Sequence, residues 1–324
     1  MFSIFRFKRE MLIVFAVLLV VGIYFFALGA PGSDAASGPI VIPQNADTTR
    51  AIRILKEGGV VRSKIFFSLL VMFSGKEIDP GGYEIAKGQN AFSVLKTMTD
   101  PPSMRWVTVP EGLRKEQIVE ILSKKLGWGE KEPVDFLSAY TIHGEEYREG
   151  YYFPDTYLMP VRENGEEIAK RMFDKFNEMY APLYPLFLKE NIKAVTAVKI
   201  ASLVQREAAG ENDMPLVAGI IWNRLLSGMK LDIDATLQYV QGKVGDNWWA
   251  PIHGPDARKL SSPYNTYLNK GLPPTPISNP GITALKAVLK PAKTDCLYYL
   301  HDAEGQIRCA KTFEEHKKNI EEYL

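Results

Sequence analysis

Glu207 closes an apolar stretch. Ile200, Leu203 and Val204 precede it by seven, four and three positions, which on a helix puts all four side chains on one face. A carboxyl there loses the hydration of its charged form, so its pKa rises. If the shift reaches roughly 6–7, the group holds a proton at neutral pH and releases it in a transition state, as general acid catalysis requires. The competing reading is a surface glutamate at a fraying helix end, where glutamates ordinarily sit.

Cleavage of a glycosidic bond is chemistry such an acid performs, ordinarily with a second carboxylate about 5–5.5 or 6.5–9.5 Å away. Glu211, Asp213, Asp232 and Asp234 follow in sequence. Asp213 also reads as a helix cap, and Asp232 and Asp234 as loop anchors. One carboxylate suffices when the substrate carries its own nucleophile. The C6 hydroxyl of a muramic acid residue attacks C1 and leaves a 1,6-anhydro ring, while Glu207 protonates the leaving O4 and accepts the hydroxyl proton. Asn223 and Arg224 could bond the acetamido or lactyl groups of such a sugar, or equally tie two helices together. Tyr239, Tyr264, Asn265 and Tyr267 could line a sugar cleft or fill the core. Trp248 and Trp249 suggest a stacking platform, although neighbours on a strand face opposite ways.

Other chemistries lack their residues. His143, His253, His301 and His316 show no HExxH spacing and there is no CxxC, so no metal and no cofactor is expected. Nucleophile-elbow, phosphate-loop and dinucleotide signatures are missing as well. With 39 basic against 38 acidic residues in 324, the chain lacks the basic excess of a nucleic-acid binder.

The elements around Glu207 read clearly. Residues 194–237 form two helices joined by an acidic turn, the second bracketed by Asp213, Pro215 and Gly228. Asn164 can cap a helix with Glu166 and Glu167 in its first turn. The charged stretch 129–150 reads as exposed. Residues 246–281 make a long loop rich in Pro, Gly, Tyr and Trp, of the kind that is usually functional. Cys296 and Cys309 flank a hairpin turning at Asp302–Gly305. A tight turn there sets Tyr298 opposite Cys309, so a disulfide stays open.

Met11 to Ala30 is an uncharged run of about 20 residues, enough to cross a bilayer core. Arg6, Lys8 and Arg9 precede it, which predicts a cytoplasmic N-terminus and the rest of the chain outside. A cleaved signal peptide is the alternative, but the run exceeds the usual apolar core of one. The Ile65–Phe73 run is too short to span and reads as a core helix. The expected order is a tail (1–10), an anchor (11–30), a linker (31–37), a small αβ domain (38–101) and a mixed α+β domain (106–324).

Several motifs carry a resemblance. Residues 200–239 (IASLVQREAAGENDMPLVAGIIWNRLLSGMKLDIDATLQY), VPEG at 109–112, EGYYFPDTYLMP at 149–160, SPYNTYLNKGLPPTPISNPG and LKAVLKPAKTDCLYYL are similar to segments of the endolytic murein transglycosylase (YceG-like) family. They recur in the family's order over about residues 40–324. The resemblance implies a LysM-like domain beside the cytoplasmic membrane of a bacterium and then the catalytic domain. It implies non-hydrolytic cleavage of nascent peptidoglycan strands, ending their elongation, possible contact with the peptidoglycan synthases, and Glu207 as the catalytic residue. Two departures stand out. The family's Glu-Lys-Glu-Thr is Gln205-Arg206-Glu207-Ala208, so Glu207 is the motif's only acid. Ala208 has no hydroxyl to orient it, and another donor must do so or the site is looser. Thr-Asp-Pro-Thr is Ile233-Asp234-Ala235-Thr236, keeping the Asp and Thr.

Overall fold

The computed structural model describes residues 2–31, 38–138, 149–252, 254 and 257–324. His143, His253 and most of the expected linker lie outside them. The chain is mixed α+β and divides into two compact units, Met1–Val107 with Tyr157–Arg162, and Thr108–Thr156 with Glu163–Leu324.

The first unit opens with helix α1 (Phe2–Ile23) and a π-helical turn, Tyr24–Leu28. Within the expected span Met11–Ala30 the winding thus changes from α to π after Ile23. The uncharged part of α1, Met11–Ile23, rises only about 20 Å at 1.5 Å per residue. Among the described residues no helix is long and apolar enough to cross a membrane. Next come β1 (Gly38–Ile42), α2 (Thr48–Glu57), α3 (Lys64–Ser74), β2 (Gly81–Ile85), α4 (Ala91–Thr99) and β3 (Met104–Thr108). With β4 (Thr156–Pro160) the strands form a sheet ordered β1-β2-β3-β4. Short polar caps start the helices: Asp47 accepts from the Arg50 amide at 2.7 Å and Asn90 from the Ser93 amide at 2.9 Å. Ile42, Leu55, Phe67, Tyr83, Val94 and Met98 fill the core. Helix α3 departs from expectation, because only Phe67 and Val71 of it are buried.

The second unit holds α5 (Lys115–Leu126), α6 (Lys131–Ser138), α7 (Gly165–Tyr180), α8 (Tyr184–Lys189), α9 (Ala194–Glu207), α10 (Met214–Leu226), α11 (Asp234–Gln241), α12 (Ile282–Leu289), the hairpin β5 (Tyr298–His301) and β6 (Ile307–Ala310), and α13 (Phe313–Tyr323). Asn164 caps α7 in a reciprocal box with Glu167, both bonds at 2.9 Å. The charged stretch from 129 is not uniformly exposed, since α6 buries Phe136 completely. Helices α9, α10 and α12 pack on one another through Ile200, Leu203, Val217, Ile221, Leu285 and Val288, with Ala201, Ala218 and Ala284 between them. Small residues permit this close approach, and Gly219 does the same between α10 and the segment that follows α12. A Cβ there would lie 2.4 Å from the carbonyl oxygen of Ala292, whose amide donates to Pro215 O at 2.8 Å.

Glu149 ties the loops of this unit together and is only 3% exposed. Its Oε1 accepts from the Lys115 amide (3.0 Å) and the Asn279 side-chain amide (2.7 Å), and Tyr239 OH reaches Oε2 at 3.3 Å. Asn279 in turn accepts from the amides of Gly150 and Tyr152. Burial, helped by the nearby Glu116 carboxylate, pushes the Glu149 carboxyl up from 4.5 to about 8.

Two outcomes follow from this packing. Gly219→Ala should cost about 1–3 kcal/mol, the range for overfilling a tight core, read as a lower thermal midpoint. For Glu149 the folded pKa lies above the unfolded one, so its share of stability is present at low pH. That share fades as pH rises from about 4.5 to about 8, a loss of a few kcal/mol. Glu149→Gln, which keeps the neutral form's acceptor, should flatten this part of the stability–pH curve.

Candidate active site

Glu207 is the last residue of α9. The helix ends there because Ala208 turns to extended backbone (φ −72°, ψ 138°), and its carboxyl is carried out of the apolar core into a cavity of about 670 Å³. That volume falls within the range of ligand clefts, about 300–1,000 Å³. The walls come from distant parts of the chain: Arg224, Asp232, Asp234, Arg258, Tyr267, Tyr298, Tyr299 and His316.

Two donors fix the carboxyl. Tyr299 OH donates to Glu207 Oε2 at 2.5 Å. The backbone amide of Ala235 donates to the same carboxyl; it lies in the first turn of α11, where helix N–H groups have no partner of their own. These two donors replace the hydroxyl that Ala208 lacks. Asp234 stands near and repels it. The net effect is a raised pKa, caused foremost by burial, with the Tyr299 bond opposing it and the Asp234 charge adding to it. The residue is half-buried and lines the cavity. An acid with a raised pKa and an open side is equipped to donate a proton.

The loop below the site is locked by two threonines. Thr266 Oγ1 accepts from the Ile233 amide at 2.9 Å, and Thr236 Oγ1 donates to Ile233 O at 2.6 Å. This fixes the start of α11 and with it Asp234. Tyr267 OH donates to Asp234 Oδ1 at 2.7 Å, and burial and the Asp234 carboxylate raise the Tyr267 phenol. The Arg258 guanidinium lies over the Tyr267 ring, 4.9 Å from its centre. His316 stacks on Tyr298, and burial holds its imidazole below the usual value.

Among the expected site residues, Glu207, Arg224, Asp234 and Tyr267 share this cavity. Arg224 is committed to backbone: it donates to Leu297 O (2.5 Å) and Leu231 O (2.7 Å) and pairs with Asp232 at 3.2 Å. Its place is that of a brace. Asn223 belongs elsewhere, because its amide donates to Thr294 O and Cys296 O. It lines a groove of about 690 Å³ with Trp222 and Leu226. That groove shares no lining residue with the Glu207 cavity, and its acids, Glu190 and Asp295, are exposed. Asn265 is fully buried and stitches its own loop through Arg258 O and Leu260 O. Tyr239 and Tyr264 pack together, 5.2 Å between ring centres, with the Arg114 guanidinium over Tyr239. The stacking platform expected of Trp248 and Trp249 is capped by Arg114 and Arg206 (4.9 Å and 4.0 Å).

Asp213, expected as a cap, makes no side-chain cap bond and meets His301 Nε2 at 3.2 Å instead. Sequence reasoning missed Tyr299, Tyr298, Arg258 and His316 as wall residues; the tyrosine pair in a predicted strand was the available signal. Cys296 and Cys309 are joined, with Cα atoms 5.8 Å apart. The register sets Tyr299, not Tyr298, opposite Cys309, because the turn is a residue longer than expected.

Comparison with known proteins places the chain in a family. An "Endolytic murein transglycosylase" of Bacillus subtilis (strain 168) is 30% identical over 309 residues, 88% of this chain and 84% of that protein. A protein of the same description from Streptococcus pneumoniae serotype 2 is 28% identical over 96% of this chain, which spans 64% of that longer protein. The crystal structure of a yceG-like protein from Listeria monocytogenes superposes with a TM-score of 0.61 at 25% identity, covering 87% of this chain and 98% of the other. A family model described as "YceG-like family" matches residues 40–322, and the chain belongs to that family.

Proposed function

We infer that the protein is an endolytic murein transglycosylase, cleaving the MurNAc–GlcNAc bond of nascent peptidoglycan without water and ending strand elongation. One observation carries the chemistry: a single carboxyl at the end of α9 whose pKa is raised and whose Oε2 is held by Tyr299 OH. With Oε2 so occupied, Oε1 delivers the proton. It passes to O4 of the leaving sugar as the C1–O4 bond breaks. The C6 hydroxyl of the muramic acid residue attacks C1 and gives its proton to the Glu207 carboxylate, which restores the acid. No cofactor enters this cycle. Asp234, beside the reacting centre, favours positive charge at C1. Arg258 on the cavity wall is the cation available to a lactyl or peptide carboxylate, since Arg224 is spent on backbone.

The uncharged segment from Met11 onward is read as the membrane anchor, with the cationic Arg6, Lys8 and Arg9 on the cytoplasmic side and both folded units outside. Apolar side chains project from all round this helix (Met11, Leu12, Ile13, Val14 and Phe15 are exposed), as a segment solvated by lipid requires. The first unit is read as a LysM-like domain of residues 38–101, and residues 106–324 as the catalytic domain. The peptidoglycan synthases are the expected neighbours.

Asp234 on the same cavity also favours a second reading, hydrolysis of the same bond with Asp234 as the partner carboxylate. Mass analysis of glycan products from the purified full-length protein separates the two: anhydro ends are expected, and reducing ends would replace this mechanism by hydrolysis. Glu207→Gln should cut turnover by about 10²–10⁴-fold, the usual value of a general acid, with glycan binding retained. Tyr299→Phe removes a donor to the charged form, so the Glu207 pKa should rise. The limb of the pH–rate profile that reports loss of its proton should move to higher pH.

A further inference from the structure

The apolar run Ile65–Phe73 has no place in the chemistry above and only a partial one in the core. Phe67 and Val71 point inward, while Ile65 (73% exposed), Leu69, Met72 and Phe73 (80% exposed) point out. Their spacing of four, seven and eight positions makes one continuous stripe on α3. A soluble helix reverses this pattern, placing charge outward. Here charge stands only at the ends, with Lys64 at the start and Lys76 just beyond Gly75.

The position of α3 says what covers the stripe. Arg62, just before its cap Ser63, donates to the carbonyl oxygen of Phe25 in the π-helical turn that ends α1. Leu28 of the same turn packs on the core of this unit. The exposed aromatic pair Tyr24 and Phe25 has the composition of a residue belt at a membrane–water boundary. The start of α3 is thus pinned to the level where the apolar helix leaves the bilayer. We propose that α3 lies in the bilayer surface, its Ile65–Leu69–Met72–Phe73 stripe set among acyl chains and Lys64 and Lys76 reaching the phosphates. The partner is a phospholipid surface, and the proposal rests on the anchoring assigned above to α1. A glycan strand fits the stripe poorly, because these four side chains offer no hydrogen bonds to sugar hydroxyls.

The test uses the full chain in vesicles of phosphatidylethanolamine and phosphatidylglycerol. Its two native cysteines are bonded to each other, so a single introduced cysteine takes an environment-sensitive fluorophore. Leu69→Cys and Phe73→Cys probe the stripe. Glu84→Cys is the control, since Glu84 is exposed on β2 between the buried Tyr83 and Ile85 and faces away from the helices. Leu18→Cys reports the anchor. Spin-labelled lipids should quench positions 69 and 73 with a blue-shifted emission and a depth of about 5–10 Å below the headgroups, and leave position 84 unquenched. Quenching at 18 with none at 69 and 73 overturns the docking of α3 and leaves the anchor standing. Absence of quenching at 18 overturns the anchor and the docking together. Energy transfer between labelled copies at 69, without lipid quenching, overturns the proposal in favour of a self-interface.

Discussion

The site depends on one buried carboxyl and the balance struck around it. Burial raises the Glu207 pKa and, unopposed, would hold the proton too tightly for its delivery to the leaving sugar oxygen. Tyr299 OH and the Ala235 amide both stabilise the charged form. They set an upper bound on the shift, and Asp234 works against them. The group can therefore give up a proton to a sugar oxygen and take one back from a sugar hydroxyl. Burial comes from the apolar face of α9, the opposing donors from α11 and β5, so three elements must agree within hydrogen-bond distance.

The rest of the second unit serves that agreement. Helices α9, α10 and α12 approach through alanines, which fixes the axis of α9 behind Glu207, and Gly219 admits the segment after α12 against α10. Arg224 then spans from α10 to the backbone at Leu297 and Leu231, joining the approach to β5 with the approach to α11. A guanidinium suits this task because it presents several donors in a rigid plane. The disulfide closes the hairpin behind Tyr299, and the paired threonines hold α11 in front.

Much of this was legible from residue types. The apolar spacing before Glu207 gave its burial, and the family resemblance singled out Asp234 and Thr236 without their roles. Asn164, with glutamates after it, gave the start of α7. What escaped was set by long-range contact. Nothing near Tyr299 in sequence marks it as the donor to Glu207; strand periodicity says that Tyr298 and Tyr299 face opposite ways, not which helix end they meet. The polar residues left open between sugar contact and scaffold share a physical setting. Asn223, Arg224 and Asn265 lie beside irregular backbone whose carbonyls have no ladder partner, and such carbonyls must be satisfied. Their composition resembled a sugar site because both tasks call for amides and guanidinium. Helix α3 escaped differently, since a run of nine mostly apolar residues does not reveal which side of the helix has a protein neighbour.

The donor to the acid lies 92 residues beyond it in the chain. At roughly 5–20 residues per second, a ribosome delivers Tyr299 about 5–20 s after Glu207. During that interval α9 can exist, but its terminal glutamate is an ordinary solvated carboxylate with neither phenol nor closed wall. Catalytic competence thus arrives with the docking of the hairpin, and a nascent or C-terminally clipped chain keeps the glutamate while lacking the acid.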